Sequence, residues 1–301
     1  MRRYYSLSDY FKEKYGCKIL KLSINGGFTC PNRINGLKGC LFCSDLGSGE
    51  FGGDSNLSIK EQISRQKNFL KHKNKSNKYI AYFQSFTNTF DKIENLKNKY
   101  YEALNCDTII GLAIATRPDC IDDEVIDLLK KINEKYELWL ELGFQTSKEE
   151  TANIIRRGYS NQVLINAVRK LNSAGIKVVT HLIFGLPYEN KTDWINSVNF
   201  ISRLNLWGVK FHSLYIQKNS DLYTYYLNNN FKVISKDEYT DMVSEAISLI
   251  PKNYVVHRLT GDADKKQLYL PKWSADKLSV IGLIQKKLKD NNIVQGINYN
   301  Y

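Results

Sequence analysis

Three cysteines fall within fourteen residues, Cys30, Cys40 and Cys43, in the spacing C-x9-C-x2-C. Thiolates so grouped hold zinc or iron–sulfur centres, and Gly26, Gly27, Gly36 and Gly39 around them allow the tight turns that a bulky centre needs. A structural zinc site closes with four Cys or His ligands, and only three are local here. Three thiolates suit a [4Fe-4S] cluster in which one iron is left open to an external ligand. Cys17 is the nearest further thiol, but a strand of about seven residues, about 20 Å long, separates it from Gly26 and places it at the far end. Cys106 and Cys120 are isolated, and buried free thiols are the default for both.

Such a loop needs a scaffold, and apolar, β-branched runs recur at residues 18–24, 79–84, 108–115, 137–144, 177–185 and 208–215. Between them the apolar spacing is helical, as in Val125, Ile126, Leu128, Leu129 and Ile132, and again in Val163, Leu164, Ala167, Val168 and Leu171. Alternating strand and helix predicts a parallel sheet. Six such units, where a closed eight-fold barrel takes about 250 residues, predict an α/β fold: a partial (β/α)6 TIM-like barrel, open on one side to a large substrate. The expected organisation is a core over residues 1–250 with its cluster-binding loop at 25–53, and a small C-terminal α/β extension over 251–301 packing on that core. The extension holds a strand-like run at 254–259 and a helix through 278–288.

In parallel architectures the chemistry sits at the carboxyl ends of the strands, and the polar residues there are the remaining candidates. Glu141 and Gln145 stand at i, i+4, which puts both on one face of the fourth strand, pointing into the barrel. One of them could hold a ribose; the plainer alternative is a buried Glu141 paired with a lysine. Arg117 is held extended by Pro118 and faces either cofactor or substrate. His181, His212 and His257 lie on expected strands, each a candidate or a satisfied core residue, with His212 nearest the mouth. Asp262, beside Gly261, binds substrate or shapes a turn.

The cysteine spacing after the first strand, with Phe42 just before the last cysteine, resembles the radical S-adenosylmethionine (SAM) enzymes, in the branch of the Elongator catalytic subunit. Thr116-Arg117-Pro118-Asp119 resembles that branch's T-R-P-D, Glu141-Leu142-Gly143-Phe144-Gln145-Thr146 its E-L-G-x-Q-[ST], and Gly185-Leu186-Pro187 its G-L-P. The resemblance covers residues 15–222. A narrower likeness, through Cys30-Pro31-Asn32-Arg33, the run at 82–89, Arg258-Leu259-Thr260-Gly261-Asp262 and Pro271-Lys272-Trp273, is to a bacterial subfamily without the acetyltransferase domain. The resemblance implies a cluster on Cys30, Cys40 and Cys43 whose open iron chelates SAM and whose electron cleaves it to a 5′-deoxyadenosyl radical. It further implies that Phe42 lies beside the adenine, that Gln84 stands where many relatives bind the methionyl amino group through a Gly-Gly-Glu turn, and that Arg157 holds the methionine carboxylate. Gln84 departs from that turn, and Arg156 and Tyr159 depart from the N-R-G-H of relatives. The subfamily points to wobble-uridine modification of tRNA, in the processing of the 5-carboxymethylaminomethyl group, with an electron donor such as flavodoxin or ferredoxin.

With 43% hydrophobic and 12% aromatic residues in a chain of 301, long-range disorder is excluded. The longest apolar stretch, residues 109–115, is far below the ~18 residues of a membrane span, and the start lacks an apolar signal core, so a soluble, cytoplasmic protein is expected. A net charge of +12 fits an acidic partner such as RNA, or the Lys-, Asn- and Ile-rich usage of AT-rich codons. The basic run Arg65, Lys67, Lys71, His72, Lys73, Lys75, Lys78 is either a nucleic-acid contact or a solvated helix end. Two further readings stay open: a radical SAM enzyme on a small molecule or peptide, and a zinc-stapled RNA-binding module with Cys17 as fourth ligand.

Overall fold

The computed structural model describes residues 2–47, 52–72 and 77–300. Helix α1 (Leu7–Tyr15) is capped reciprocally: the Ser6 hydroxyl accepts from the Asp9 N–H at 3.2 Å, and the Asp9 carboxylate accepts from the Ser6 N–H at 3.0 Å. Strand and helix then alternate through β1 (Leu20–Ile24), α2 (Ile59–Leu70), β2 (Tyr79–Phe83), α3 (Ile93–Leu104), β3 (Ile109–Thr116), α4 (Asp123–Asn133) and β4 (Glu137–Gln145). They continue through α5 (Glu149–Ile154), α6 (Asn161–Ser173), β5 (Lys177–Phe184), α7 (Lys191–Ser202) and β6 (Gly208–Ser213). The remainder is β7 (Ile216–Gln217), α8 (Asp221–Asn229), α9 (Lys236–Leu249), β8 (Val255–Arg258), β9 (Leu268–Leu270) and α10 (Lys277–Asp290).

The main sheet has seven parallel strands in the order β1-β2-β3-β4-β5-β6-β8, while β7 and β9 form an antiparallel pair. The α/β partial barrel is as expected, with one correction: it holds seven strands, not six. The run expected in a covering extension supplies β8, which pairs with β6 through Gly208↔Val255 and Val209↔Val256. Helix α9 explains the difference. It buries Tyr239, Met242, Val243, Ala246 and Ile247, and as a parallel crossover it returns the chain to the strands' amino ends, where the next β-branched run pairs beside β6. The outer edge of β8 is covered at its base by the N-terminal segment, where the Val256 N–H donates to the Tyr5 carbonyl at 2.7 Å.

Strand residues alternate between two environments. Leu22, Phe83, Leu112, Leu140, Leu182 and Phe211 face outward and pack against the helices. Inward, Ile80, Tyr82, Ala113, Trp139 and Val179 join Phe11 and Ile19 to plug the amino end of the barrel. Below the plug Glu137 is buried, accepting from Tyr10 Oη at 2.9 Å, Tyr15 Oη at 2.7 Å and Lys14 Nζ at 2.6 Å, and pairing with Lys177. This closed end is also where the basic run leads. Helix α2 descends toward it, and Lys78 lies over the Tyr15 ring at 6.0 Å, so the run flanks the end opposite the strands' carboxyl termini. Lys73 and Lys75 lie outside the described residues.

Burial works against ionising Glu137, but hydrogen bonds from Lys14 and Lys177 outweigh it and hold its pKa down to about 2. A depressed carboxylate stabilises above its unfolded pKa and loses that contribution as pH falls through its folded one. Glu137→Gln is expected to cost about 3 kcal/mol at pH 7. The difference from wild type should shrink as pH falls from about 4.5 toward 2, as checked by denaturant midpoints of the two proteins across that range.

Candidate active site

The cysteine loop leaves β1 at the carboxyl end of the sheet, and neighbouring elements clamp it. Gln62 of α2 accepts from the Asn25 N–H and donates to the Asn25 carbonyl, both at 2.9 Å. Arg33 donates to the Ser44 carbonyl at 2.5 Å, closing the loop on itself. The Leu41 N–H donates to the Ile155 carbonyl at 3.0 Å, and the Leu222 N–H to the Leu41 carbonyl at 2.8 Å, so both sides of the mouth hold the segment between Cys40 and Cys43. Asn32 ties the loop to the turn after α5: its Nδ2 donates to the Arg156 carbonyl at 2.8 Å and reaches Cys40 Sγ at 3.5 Å. That approach requires Gly158, whose φ is +82° and where a Cβ would meet Asn32 Oδ1 at 2.7 Å. Of the loop expected at 25–53, residues 48–51 lie outside the described residues.

All three loop cysteines are free thiols. A hydrogen bond with Cys43 lowers the pKa of Cys40 to about 7; burial opposes this, while Asn32, Arg117 and Arg33 favour the thiolate. Three thiols on one clamped loop beside two guanidinium groups are the donor set for a [4Fe-4S] cluster with one open iron. The zinc reading is not supported by Cys17, which packs against the plug at the opposite end of the barrel. Among the described residues no group of three or more Cys, His, Asp or Glu side chains is gathered as a site for one metal ion.

The structure brings the other candidates to two levels. At the mouth, Phe42 is half-buried against the apolar cluster of Leu41, Ile155, Leu186 and Leu222. Gln84 accepts from Ser23 Oγ at 3.2 Å across the ends of β1 and β2. Gln145 follows a bulge in β4 and takes a left-handed φ of +68°, so it lies over Gly143 near Tyr159, a layer above Glu141. Arg117 faces the cysteine loop: it grips Asp119 at 2.9 and 2.6 Å, donates to the Arg157 carbonyl at 2.8 Å and lies over the Tyr159 ring.

Arg157 departs from the expected carboxylate contact. Its side chain is buried, and all five N–H groups have partners: the carbonyls of Tyr159, Phe144 and Thr146, the Glu149 carboxylate and Asn161 Oδ1. With no donor left for a ligand, Arg157 fixes the turn that carries Gly158.

Inside the barrel, one level down, Glu141 is fully buried and pairs with Lys210, with Lys21 at 3.5 Å, with Trp139 Nε1 at 3.0 Å and with His181 Nε2 at 3.2 Å. Glu141 thus makes a buried Glu–Lys pair. Burial raises the carboxyl's pKa, and attraction to Lys210 and Lys21 more than reverses that, keeping it ionised. Burial, with Lys210, pushes His181 down to about 4, leaving it neutral. His212 lies beside His181, with ring centroids 5.3 Å apart and planes tilted by 35°. His257 instead packs on Trp139 and Trp207 in the plug. Asp262 pairs with Arg258 at 2.9 Å and with Lys277 at 2.8 Å. Sequence reasoning missed Lys21, Lys210 and Arg258. The available signal was a lysine between Val209 and Phe211 in an otherwise apolar strand.

The Radical SAM superfamily model matches residues 24–201, and the radical SAM C-terminal domain model matches residues 206–290. The chain belongs to the radical SAM superfamily. It is an enzyme of that class, and its cofactors are a [4Fe-4S] cluster and S-adenosyl-L-methionine. Similar relatives include the uncharacterized protein YtqA of Bacillus subtilis, 38% identical over 98% of this chain and 92% of that protein. Protein YhcC of Escherichia coli is 32% identical over 93% and 90%. A tRNA uridine(34) acetyltransferase of Methanocaldococcus infernus is 26% identical over 51% of this chain but only 29% of its own length. The solved structure of Elp3 from that archaeon superposes with a TM-score of 0.68 at 20% identity, over 80% of this chain; this chain spans 61% of it.

Because Arg157 has no free donor, Arg157→Gln is expected to cost stability rather than cofactor affinity. Three carbonyls lose a buried charged partner, a loss of about 3 kcal/mol or more by denaturant unfolding, with SAM affinity of the folded variant changed by less than about threefold. A loss of SAM affinity at unchanged stability would restore the carboxylate contact.

Proposed function

We propose that this radical SAM enzyme modifies the wobble uridine of tRNA, processing the 5-carboxymethylaminomethyl group toward the aminomethyl or methylaminomethyl form. The observation that carries the reading is the open side of the barrel: β1 and β8 end the sheet unpaired with one another, leaving the mouth accessible to a polymer. The partial sequence match to a tRNA uridine(34) acetyltransferase and the net charge of +12 support the same substrate class. When bound, the cluster supplies the electron that cleaves SAM to the 5′-deoxyadenosyl radical. The chain's own part is to clamp the loop through Gln62, Asn32 and Arg33, to offer the Phe42 face to a flat base, and to present Gln84 and Gln145 at the rim. A flavodoxin- or ferredoxin-type donor would approach the loop's outer side, where Leu37 and Leu46 are exposed.

One observation favours a small-molecule or peptide substrate instead: the basic run flanks the closed end, away from the mouth. No helix among the described residues is long and apolar enough to cross a membrane. Deleting the gene is expected to raise 5-carboxymethylaminomethyluridine in tRNA hydrolysates at the expense of the aminomethyl forms, read by mass spectrometry. An unchanged nucleoside profile contradicts the tRNA reading. Binding to tRNA should weaken with salt at a log–log slope of about −0.7 to −0.9 per phosphate contacted, and a flat response supports the small substrate.

A further inference from the structure

The level around Glu141 carries more positive charge than its carboxylate can match. Lys21 and Lys210 both turn to that one side chain, and a bulge in the β6–β8 pairing sets Arg258 abreast of Lys210. Among the described residues the only ion pair of Arg258 is to Asp262, which also serves Lys277. Two carboxylates thus stand among four cations. In a lumen largely withdrawn from water, such like charges repel one another more strongly than they would at a surface. Beside the buried Glu141 and Lys210, the side chains of Lys21, His181, Arg258 and Asp262 keep 19–26% of their surface accessible, so this level is partly reachable rather than sealed.

A second observation points the same way. The Nε2 atom of His212 is buried without a hydrogen-bond partner. Next to that ring, Gly261 contributes no side chain; a Cβ there would come within 3.8 Å of His212 Nδ1 and 2.9 Å of the Tyr215 ring. The glycine lets the Tyr215 ring pack close beside His212, and a buried polar atom left unpaired is costly unless a ligand completes it.

We propose that the lumen floor formed by Lys21, Lys210, Arg258 and His212 binds an oxyanion of the substrate, a carboxylate or a phosphate, and so holds the reacting part of the substrate beneath the cluster loop. Glu141 and Asp262 act as positioning residues that hold the cations apart until the anion arrives. This rests on the tRNA reading only for the source of the anion: the carboxylate of a carboxymethylamino group, or a phosphate of the RNA backbone.

The test uses the reconstituted holoenzyme with SAM and three small probes: N-methylglycine, its amide, which keeps the amine but has no carboxylate, and inorganic phosphate. Calorimetric titration is expected to show N-methylglycine binding and the amide not, with affinity reduced about tenfold or more in Arg258→Gln and in His212→Gln, and partly retained in Arg258→Lys. Lys289→Gln, on α10 beside Arg2 and Tyr4, should bind like wild type. Arg258-dependent binding of phosphate in preference to N-methylglycine assigns the floor to a backbone phosphate. Binding of neither anion, or binding indifferent to Arg258 and His212, overturns the proposal. Because no RNA is present, anion binding alongside an unchanged tRNA nucleoside profile rejects the tRNA reading alone, and the reverse result rejects the lumen assignment alone.

Discussion

A single buried carboxylate, Glu141, lets a parallel sheet of apolar strands carry a charged interior. A partial barrel must fill its inside, and here Trp139 and Phe11 fill only the amino end. Above them Glu141 gathers Lys210, Lys21, His181 and the Trp139 indole from four strands, cross-linking β1, β4, β5 and β6 at one level. Removing one partner of such a cluster leaves charge buried and unmatched, at a cost of about 3–5 kcal/mol. The lumen above therefore stays polar and open where a fully apolar filling would close it.

Everything at the mouth stands on that layer. Gly143, one step beyond Leu142 on β4, gives the space into which Gln145 folds, and Tyr159 reaches the Gly143 carbonyl from the turn that Arg157 fixes. Asn32 then links that turn to Cys40. Floor, wall and cysteine loop form one connected set of contacts, with the thiolates at its top and the cations at its base. The side chain of Arg117 joins the two halves, holding Asp119 and the Arg157 carbonyl while lying close enough to the loop to favour the Cys40 thiolate.

Much of this was legible in the sequence because parallel strands covered by helices must read as compact β-branched runs, and because a three-cysteine loop has few uses. What was not legible depended on pairing geometry. The run at 254–259 looks like any terminal strand, and only the path of α9 places it beside β6. Glu141 and Gln145 share a face by spacing, yet the bulge between Gly143 and Gln145 puts them at different levels. Lys21 and Lys210 meet one glutamate on β4 only through the register of the sheet, which the sequence does not show. The motif suggests a ligand contact for Arg157, whose five N–H groups bond within the protein, and the basic run, open in the sequence to a nucleic-acid contact or a solvated helix end, flanks the closed end.

The most direct test is chemical. The protein is purified anaerobically, its iron and sulfide are measured, and it is reduced with dithionite in the presence of SAM beside a Cys40→Ala variant. The account predicts a brown protein that forms 5′-deoxyadenosine, with cluster and product both lost in the variant. A colourless protein that holds zinc after anaerobic reconstitution and releases no 5′-deoxyadenosine would contradict it.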